Sequence, residues 1–169
     1  MYYPDFSHPN IEEYWTSELS KYFEKLPIDG LWTDMNEASN FCNLDGSGQV
    51  CVNNDPEHCP TGDDATQLNC CLTCSTIDTQ NSLDFPPYAI NNLKSHTALG
   101  TKTLSMSALN YNNITQYNMH NLYGLGESII TNKAVKTVTN KRPFLLTRSS
   151  FPGSGVHTFK WTGDNGGKY

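Results

Sequence analysis

Hydrophobic residues recur at helical spacing near the start of the chain. Between residues 9 and 25 and just beyond, intervals of three and four separate Ile11, Trp15, Leu19, Tyr22 and Leu26. This pattern predicts an amphipathic helix, with Pro9 suited to its first turn and Pro27 ending it. The next segment, IDGLWTD at 28–34, is a short apolar run that ends in Asp34, which predicts a strand with an acid at its carboxyl end.

A helical pattern returns near Gln116 and predicts a long helix. The apolar positions of its face are Met119, Leu122, Tyr123, Ile129, Ile130, Ala134 and Val138. The segment RPFLLTR at 142–148 then predicts a buried strand that ends in Arg148. A Gly- and Ser-rich turn at 151–155 follows, and a last short strand is predicted to lead through Phe159 and Trp161 to Asp164.

The predicted order is helix, strand, long loop, helix, strand, turn, strand. Charged residues fall repeatedly at the carboxyl ends of the strands. In parallel α/β architecture, and particularly in (β/α)8 barrels, active sites assemble at that edge. We therefore predict an α/β fold of barrel type, with an active site built from strand ends.

The stretch from Met35 to Asn113 has no convincing periodicity, and within it residues 42–113 predict a cysteine-rich loop insertion. All six cysteines lie in this insertion: Cys42, Cys51, Cys59, Cys70, Cys71 and Cys74. An even number in a polar loop favours a local disulfide framework, with 15 conceivable pairings. The C-x-x-C spacing of Cys71 and Cys74 keeps a zinc site open as a rival, and free thiols are a third reading.

Charge and hydropathy argue against nucleic acids and membranes as partners of this chain. The net charge is -6, the mean hydropathy is -0.54 and no basic run is present, which disfavours nucleic-acid binding. No apolar run reaches the length of a membrane span. Residues 1–5 resemble no signal peptide, whereas the cysteines and the single glycosylation sequon at Asn113 favour an oxidising compartment.

Two carboxyl groups at strand ends that a barrel can bring to the same mouth suit glycoside hydrolysis with retention of configuration. That reaction needs one carboxylate to attack the anomeric carbon and a second carboxyl group, roughly 5 Å away, to protonate the leaving oxygen. Asp34 and Asp164 are the candidates, and Arg148 is the cation that keeps the nucleophile ionised. A single Asp at a strand end is nevertheless more often a cap or a solvated charge.

The surrounding motifs decide between these readings. GLWTDMNEASNF at 30–41 resembles the nucleophile signature of glycoside hydrolase family 31. Five further blocks match that family in order: YPDF at 3–6, PPY at 86–88, YNMHNLYGL at 117–125, RPFLLTRSSF at 142–151 and WTGDN at 161–165. On these motifs the chain is similar to the α-glucosidases of the acid α-glucosidase, maltase and sucrase-isomaltase type.

The resemblance implies a role for each matching residue. Asp34 would be the nucleophile and Asp164 the general acid/base, while Arg148, Met35, Trp161 and Trp32 would form the subsite for the terminal glucose. Glu37 would help to orient the nucleophile or serve as structural support. The implied reaction is double displacement on α-linked oligosaccharides, without metal or organic cofactor. The tetrapeptide at 34–37 resembles α-glucosidases more than α-xylosidases.

The resemblance also has departures. Lys160 stands where the family usually has His, and the chain ends soon after WTGDN. The expectation is therefore an incomplete (β/α)8 barrel over 1–169, covering about strands 4 to 6, that is inactive alone. A secretory-pathway location is expected, and the sequence leaves the oligomeric state open. The alternative is a non-catalytic secreted carbohydrate-binding protein or truncated product.

Overall fold

The computed structural model describes residues 3–39, 82–88, 90, 99–100 and 103–166. The chain divides into two compact units, each described here by itself. The first, which we call the sheet unit, comprises Tyr3–Ala38 and Met119–Tyr169. The second, the insertion unit, comprises Met1–Tyr2 and Ser39–Asn118.

The helices and strands follow one another as α1 (Ile11–Lys25), β1 (Gly30–Thr33), β2 (Leu109–Asn110), β3 (Ile114–Thr115), α2 (Gln116–Met119), α3 (Tyr123–Thr139), β4 (Phe144–Thr147) and β5 (Phe159–Lys160). Short 3₁₀ turns lie at Tyr111–Asn113, His120–Leu122 and Ser154–Val156. In the described part of the chain, no helix is long and apolar enough to cross a membrane.

The sheet unit contains a three-stranded parallel sheet in the order β1-β4-β5. The register pairs Thr33 with Thr147, and Thr147 with Lys160, so the three carboxyl ends lie at one edge. This confirms the predicted α/β arrangement of parallel strands. The connection from β4 to β5 contains only a 3₁₀ turn, in agreement with the predicted Gly- and Ser-rich turn.

Helices α1 and α3 pack against each other, and the core lies between them and the sheet. Phe23, Val135 and Leu145 are its buried centre. Around them pack the partly buried side chains of Leu19, Ile28, Leu31 and Val138. Polar contacts also join the two helices: the indole Nε1 of Trp15 donates to Thr131 Oγ1 over 2.9 Å, and Lys133 Nζ donates to Glu12 Oε2 over 2.8 Å.

The prediction of which α1 residues face the core is wrong in the last turn of the helix. Tyr22 is 46% exposed and Leu26 is 47% exposed, whereas Phe23 is buried. The inward-facing row, buried at 11 and 23 and partly buried at 15 and 19, runs in steps of four, because such a row stays on one side of an α-helix. Leu26 lies beyond the last helical residue and has extended backbone, one residue before Pro27.

The predicted long helix from Gln116 is divided. Short α2 and a 3₁₀ turn come first, and the long helix α3 begins only at Tyr123. On α3 the predicted Tyr123, Ile130 and Ala134 are buried, but so are small and polar positions that hydrophobicity does not reveal: Gly124, Ser128 and Thr131. Asn140 then ends the helix in a left-handed conformation, with its N–H bonded to the Lys136 carbonyl.

The insertion unit contains regular structure that the sequence did not predict before Gln116. Strands β2 and β3 pair antiparallel, with Leu109 opposite Thr115. Buried Asp84 accepts hydrogen bonds from the backbone N–H groups of Gly100 (3.1 Å) and Met106 (3.3 Å) through Oδ1. Strands of two residues are too short to show an alternating pattern of polar and apolar residues, so the sequence does not predict them. The Asp84 carboxylate stabilises the surrounding backbone.

The predictions for the cysteines fall outside the described residues. The positions are Cys42, Cys51, Cys59, Cys70, Cys71 and Cys74, so disulfides, zinc ligation and free thiols all stay predictions. Most of the predicted insertion at 42–113 also lies outside the described ranges. Its boundaries stay a prediction for the same reason.

Candidate active site

The carboxyl edge of the parallel sheet brings together residues from three strands. Asp34 follows β1, Arg148 follows β4, and Trp161 follows β5. The backbone ladder continues past the strand ends, because Arg148 N–H donates to the Thr33 carbonyl (3.1 Å) and Trp161 N–H to the Thr147 carbonyl (2.8 Å). These bonds fix the backbone from which the three side chains project.

Arg148 is the centre of an ion-pair cluster. Its Nε and Nη2 donate to the two carboxylate oxygens of Glu37 over 3.0 and 2.8 Å. Its Nε also lies 3.3 Å from Asp34 Oδ1. Two parallel bonds to one carboxylate constrain a guanidinium more strongly than one bond does. Glu37 therefore holds the guanidinium in a fixed plane beside Asp34.

The electrostatics of the cluster favour the charged arginine. The hydrogen bonds from Arg148 to Glu37 raise the pKa of the guanidinium above its usual value, and burial opposes this. The negative charges of Glu37, Asp34 and Asp164 raise the pKa further, in that order. Asp164 is itself exposed, but it is near enough to act on Arg148. Arg148 thus interacts with both acids that the sequence singled out.

Asn36 is a site residue that the sequence analysis missed. It is buried between the turn that follows β1 and the end of β4. Its Nδ2 donates to Thr147 Oγ1 over 2.8 Å, and its Oδ1 accepts from the backbone N–H of Ser149 over 2.9 Å. These bonds fasten the segments that carry Glu37 and Arg148. The available signal was its position inside DMNE, two residues from the candidate nucleophile.

Aromatic side chains lie along the same edge. The rings of Trp32 and Trp161 are 4.8 Å apart and tilted by 48°. Trp32 is 51% exposed and Met35 45% exposed, which is uncommon for large apolar side chains unless they contact another molecule. A Cβ on Gly163 would lie 2.2 Å from the Trp161 ring, so only glycine allows the indole to fold back over this turn.

Two of the predicted site residues have left-handed backbone. Met35 has φ 54° and Asp164 has φ 65°. Such values cost free energy for residues other than glycine and concentrate at functional sites. Both residues lie within the motifs that carry the candidate carboxylates.

Lys160, the departure from the family pattern, takes part in this arrangement. Its Nζ donates to the backbone carbonyl of Arg148. Lys160, which directly precedes Trp161, therefore contacts the residue that follows β4 and carries the guanidinium.

Glu127 is a second residue that the sequence analysis missed. Burial raises its pKa from 4.5 to about 7, against the opposing hydrogen bond from Asn36, and the charge of Glu37 raises it further. The sequence gives only a weak indication of this burial: Glu127 is the one acidic residue of α3, and apolar residues lie close to it at Leu125 and Ile129.

Asn113 was predicted as a glycosylation site and not as part of the active site. Asn113, the sequon asparagine, belongs to the insertion unit and is exposed, with φ 58°. Within the ranges that the structure describes, no group of three or more His, Cys, Asp or Glu side chains is arranged to hold a metal ion.

Comparison with known proteins places the chain in a family. The profile of the glycosyl hydrolases family 31 TIM-barrel domain matches residues 1–169. Alpha-xylosidase 1 of Arabidopsis thaliana is 43% identical over 169 residues, which are 100% of this chain and 18% of that protein. An alpha-glucosidase of Hordeum vulgare is 39% identical over 165 residues, 98% of this chain and 15% of that protein.

A solved structure agrees at the level of the fold. The family 31 dextranase of Flavobacterium johnsoniae, complexed with glucose, superimposes with a TM-score of 0.51 at 19% identity, over 96% of this chain and 13% of that one. The chain spans less than a fifth of the length of these relatives. By its match over every residue, the chain belongs to glycosyl hydrolase family 31 and is part of the TIM-barrel domain of that family.

Proposed function

We propose that the protein carrying this chain is a retaining α-glucosidase, with Asp34 as nucleophile and Asp164 as general acid/base. The three parallel strands would be about the fourth to sixth of its barrel. The observation that carries the proposal is the contact of Arg148 with Asp34 and Glu37 at the carboxyl edge of the sheet. In TIM-barrel enzymes this edge holds the active site.

The first step is attack on the anomeric carbon of a terminal, non-reducing α-glucosyl residue. Oδ1 of Asp34 is buried and lies 3.3 Å from Arg148 Nε, so we assign the attack to Oδ2. As the Oδ2–carbon bond forms, the bond from carbon to the leaving oxygen breaks, and Asp164 delivers its proton to that oxygen. The product of this step is a β-glucosyl ester on Asp34 and a free shortened oligosaccharide.

The second step returns the enzyme to its starting state. Asp164, now ionised, takes a proton from water while the water oxygen attacks the same carbon. The ester bond breaks and α-glucose leaves, so two inversions give net retention. Arg148 remains charged throughout because its hydrogen bonds to Glu37, which takes no part in the reaction, raise its pKa even while Asp34 is an ester.

The sugar itself would lie against the aromatic and apolar side chains of the site. Trp32, Trp161 and Met35 supply an apolar surface beside the charged cluster. Sugar rings present C–H faces to such surfaces while their hydroxyls bond to charged groups, and Arg148 is the hydroxyl-binding group proposed here. Ligand sites in proteins combine these two features.

The decisive experiment measures hydrolysis of an aryl α-glucoside by the native polypeptide that carries these residues. Asp34→Asn is expected to lower kcat by at least about 10³-fold, because the nucleophile is lost. Asp29→Asn is the matched control, since this aspartate is 95% exposed at the opposite end of β1 and is expected to leave kcat unchanged. Normal turnover by Asp34→Asn would refute the assignment.

Azide separates the roles of the two acids. With Asp34→Ala, azide would attack the substrate directly and give the β-glucosyl azide by a single inversion. With Asp164→Ala, azide would attack the ester formed on Asp34 and give the α-glucosyl azide. The same anomer from both variants would contradict the two roles.

The choice of sugar needs its own comparison, because the relatives named above include an α-xylosidase as well as an α-glucosidase. We expect kcat/KM for the aryl α-glucoside to exceed that for the aryl α-xyloside. The two substrates differ by the C6 hydroxymethyl group. The ratio of their kcat/KM values therefore reports on the side of the sugar-binding site that contacts this group. A higher value for the xyloside would assign the protein to that activity instead.

The alternative function is carbohydrate binding without catalysis. Exposed Trp32 is the feature that a binding protein would share. The Arg148–Asp34–Glu37 cluster favours the enzyme, since a binding protein has no need of a paired nucleophile. Calorimetric binding of maltose without any hydrolysis by the native polypeptide would support the alternative.

The chain alone is expected to be inactive. In the described residues, β1 and β5 each have a free outer edge, and Phe144 and Phe159 are 55% and 57% exposed. Open edges and exposed apolar side chains are costly in water, whereas barrel closure removes them. Hydrolysis by the isolated 169 residues would contradict this expectation.

A further inference from the structure

Glu127 is a partly buried acid that the proposed reaction leaves without a role. It lies in the second turn of α3, and the charge of Glu37 and the amide of Asn36 both act on it. Its Oε2 is buried and has no hydrogen-bond partner among the residues that the structure describes. A buried polar atom without a partner is rare in proteins and calls for a physical explanation.

The surroundings favour the neutral form of this carboxyl group. Glu37, on the turn after β1, carries a negative charge that is satisfied by Arg148. Glu127 has no ion-pair partner among the described residues. A buried charge without compensation is unfavourable, so the group stays protonated instead. This agrees with the rise of the Glu127 pKa to about 7.

Two elements bring titratable groups near Glu127. The turn after β1 brings Glu37, and one helical turn earlier α3 itself brings Tyr123. Burial keeps the pKa of Tyr123 well above its usual value, so this phenol remains neutral. The phenol also donates to the Pro4 carbonyl over 2.8 Å. Glu37 is therefore the charge that Glu127 meets when it ionises.

Ionisation of Glu127 would disturb two interactions of the site. A carboxylate accepts hydrogen bonds more strongly than a hydroxyl does, so it competes with Thr147 for the Nδ2 group of Asn36. It also repels Glu37, which fixes the plane of Arg148. Both effects weaken the connection between the turn after β1 and the end of β4.

We propose that Glu127 is a positioning residue: as a neutral acid near Asn36 and Glu37 it keeps Glu37 on Arg148, and its ionisation releases that arrangement. It touches neither substrate nor reacting atoms, and it acts through Glu37 and Arg148 on Asp34. This inference rests on the proposed function of Asp34 as nucleophile. If Glu127 acts in this way, the pH above which activity falls is set by Glu127 on α3 as well as by the two catalytic carboxyl groups.

The test is the pH profile of kcat/KM for the aryl α-glucoside, measured in the native polypeptide between pH 4 and 9. Glu127→Gln has the shape of the protonated acid and cannot ionise. We expect it to keep activity in the acidic range within about threefold and to move the alkaline limb upward by about half a pH unit or more. Glu13→Gln, at an exposed position of α1, is the matched control and is expected to leave the profile unchanged.

A second variant covers the case in which glutamine does not fold. Glu127→Met is also unable to ionise, and it is expected to move the alkaline limb in the same direction even with a lower overall rate. A merely structural role would lower the rate at every pH without moving the limb. An alkaline limb that stays in place in both variants would overturn the inference.

The outcomes separate this inference from the proposed function. Hydrolysis by the unsubstituted protein, lost in Asp34→Asn, together with an unmoved limb in the Glu127 variants, overturns the positioning role alone. Absence of hydrolysis in the unsubstituted protein at every pH overturns both.

Discussion

Replacement of Gly124 by alanine tests whether close backbone approach aligns the candidate site. Gly124 lies in the first turn of α3, against the two segments that carry Glu37 and Arg148. A Cβ at this position would lie 2.5 Å from Ser149 Oγ, 2.6 Å from Ser149 Cβ and 3.0 Å from the Asn36 carbonyl oxygen. Ordinary van der Waals contact begins at 3.4 Å, so the carbon–carbon approach is about 0.8 Å too short.

The clash is expected to outweigh the gain in helix propensity. Overpacking of a close-packed site costs about 1 to 3 kcal/mol, and exchange of Gly for Ala in a helix returns up to about 1 kcal/mol. Two of the three obstacles are a Cβ and a backbone oxygen, which cannot rotate away. We therefore expect a net loss of about 1 to 2 kcal/mol, which corresponds to a fall in Tm of about 2 to 8 °C for a domain of about 150 to 250 residues.

Activity is expected to fall as well, because a shift of Asn36 and Ser149 moves the segments on either side of the ion-pair cluster. A displacement of about 1 Å at an active site costs about 10²-fold in rate. The measurement is kcat/KM for the aryl α-glucoside, together with Tm, in the native polypeptide.

Gly126→Ala is the matched control for this substitution. It lies two residues further along α3 and shares the gain in propensity, but its new Cβ meets only Phe6, at 3.0 Å for the nearer atom. It is expected to lose less stability and to retain more activity than Gly124→Ala. If Gly124→Ala were as stable and as active as Gly126→Ala, close approach at Gly124 would not control the alignment.

Two further predictions follow from the charged groups. Glu37→Gln removes one charge from the bidentate pair with Arg148 and is expected to lower kcat/KM about 10- to 100-fold, with about 1 kcal/mol lost in stability because the pair is partly exposed. Glu12→Gln, which removes the exposed pair with Lys133, should leave kcat/KM unchanged; an equal effect of both variants would argue against a role for Glu37. The raised pKa of Glu127 means that the folded state holds its proton between pH 4.5 and about 7 while the unfolded state releases it, so stability falls as the pH rises through this range. Thermal unfolding at pH 4.5 and at pH 8 should show Glu127→Gln gaining up to about 3 kcal/mol over the unsubstituted protein at the higher pH, and a difference independent of pH would contradict the burial of this acid.

The class of the fold was predictable because its signals are local. Apolar residues at helical spacing predict α1 and most of α3, and short apolar runs that end in charged residues predict β1 and β4. The error at Tyr22 arose because residues 22 and 23 are both aromatic, so that spacing alone permits either face. Only packing against Val135 and Leu145 selects Phe23.

The missed residues are those whose roles depend on contacts distant in sequence. Asn36 contacts Thr147 and Ser149, which lie more than a hundred residues further along the chain. Gly124 matters through the same two segments. No local pattern distinguishes such an asparagine from one on the surface, or such a glycine from one at a helix end.

The sequence by itself determined the family and the candidate residues, because six motifs in a fixed order are more specific than any single contact. It named Asp34, Asp164 and Arg148 as residues of interest before any geometry was known. The tertiary structure alone decided that Arg148 holds Glu37 with two bonds while facing Asp34. It also decided that Glu127 is close enough to Asn36 and Glu37 to interact with both. The physical reason is that ion pairing and burial depend on distances between strand ends and helix faces, and those distances exist only after the chain has folded.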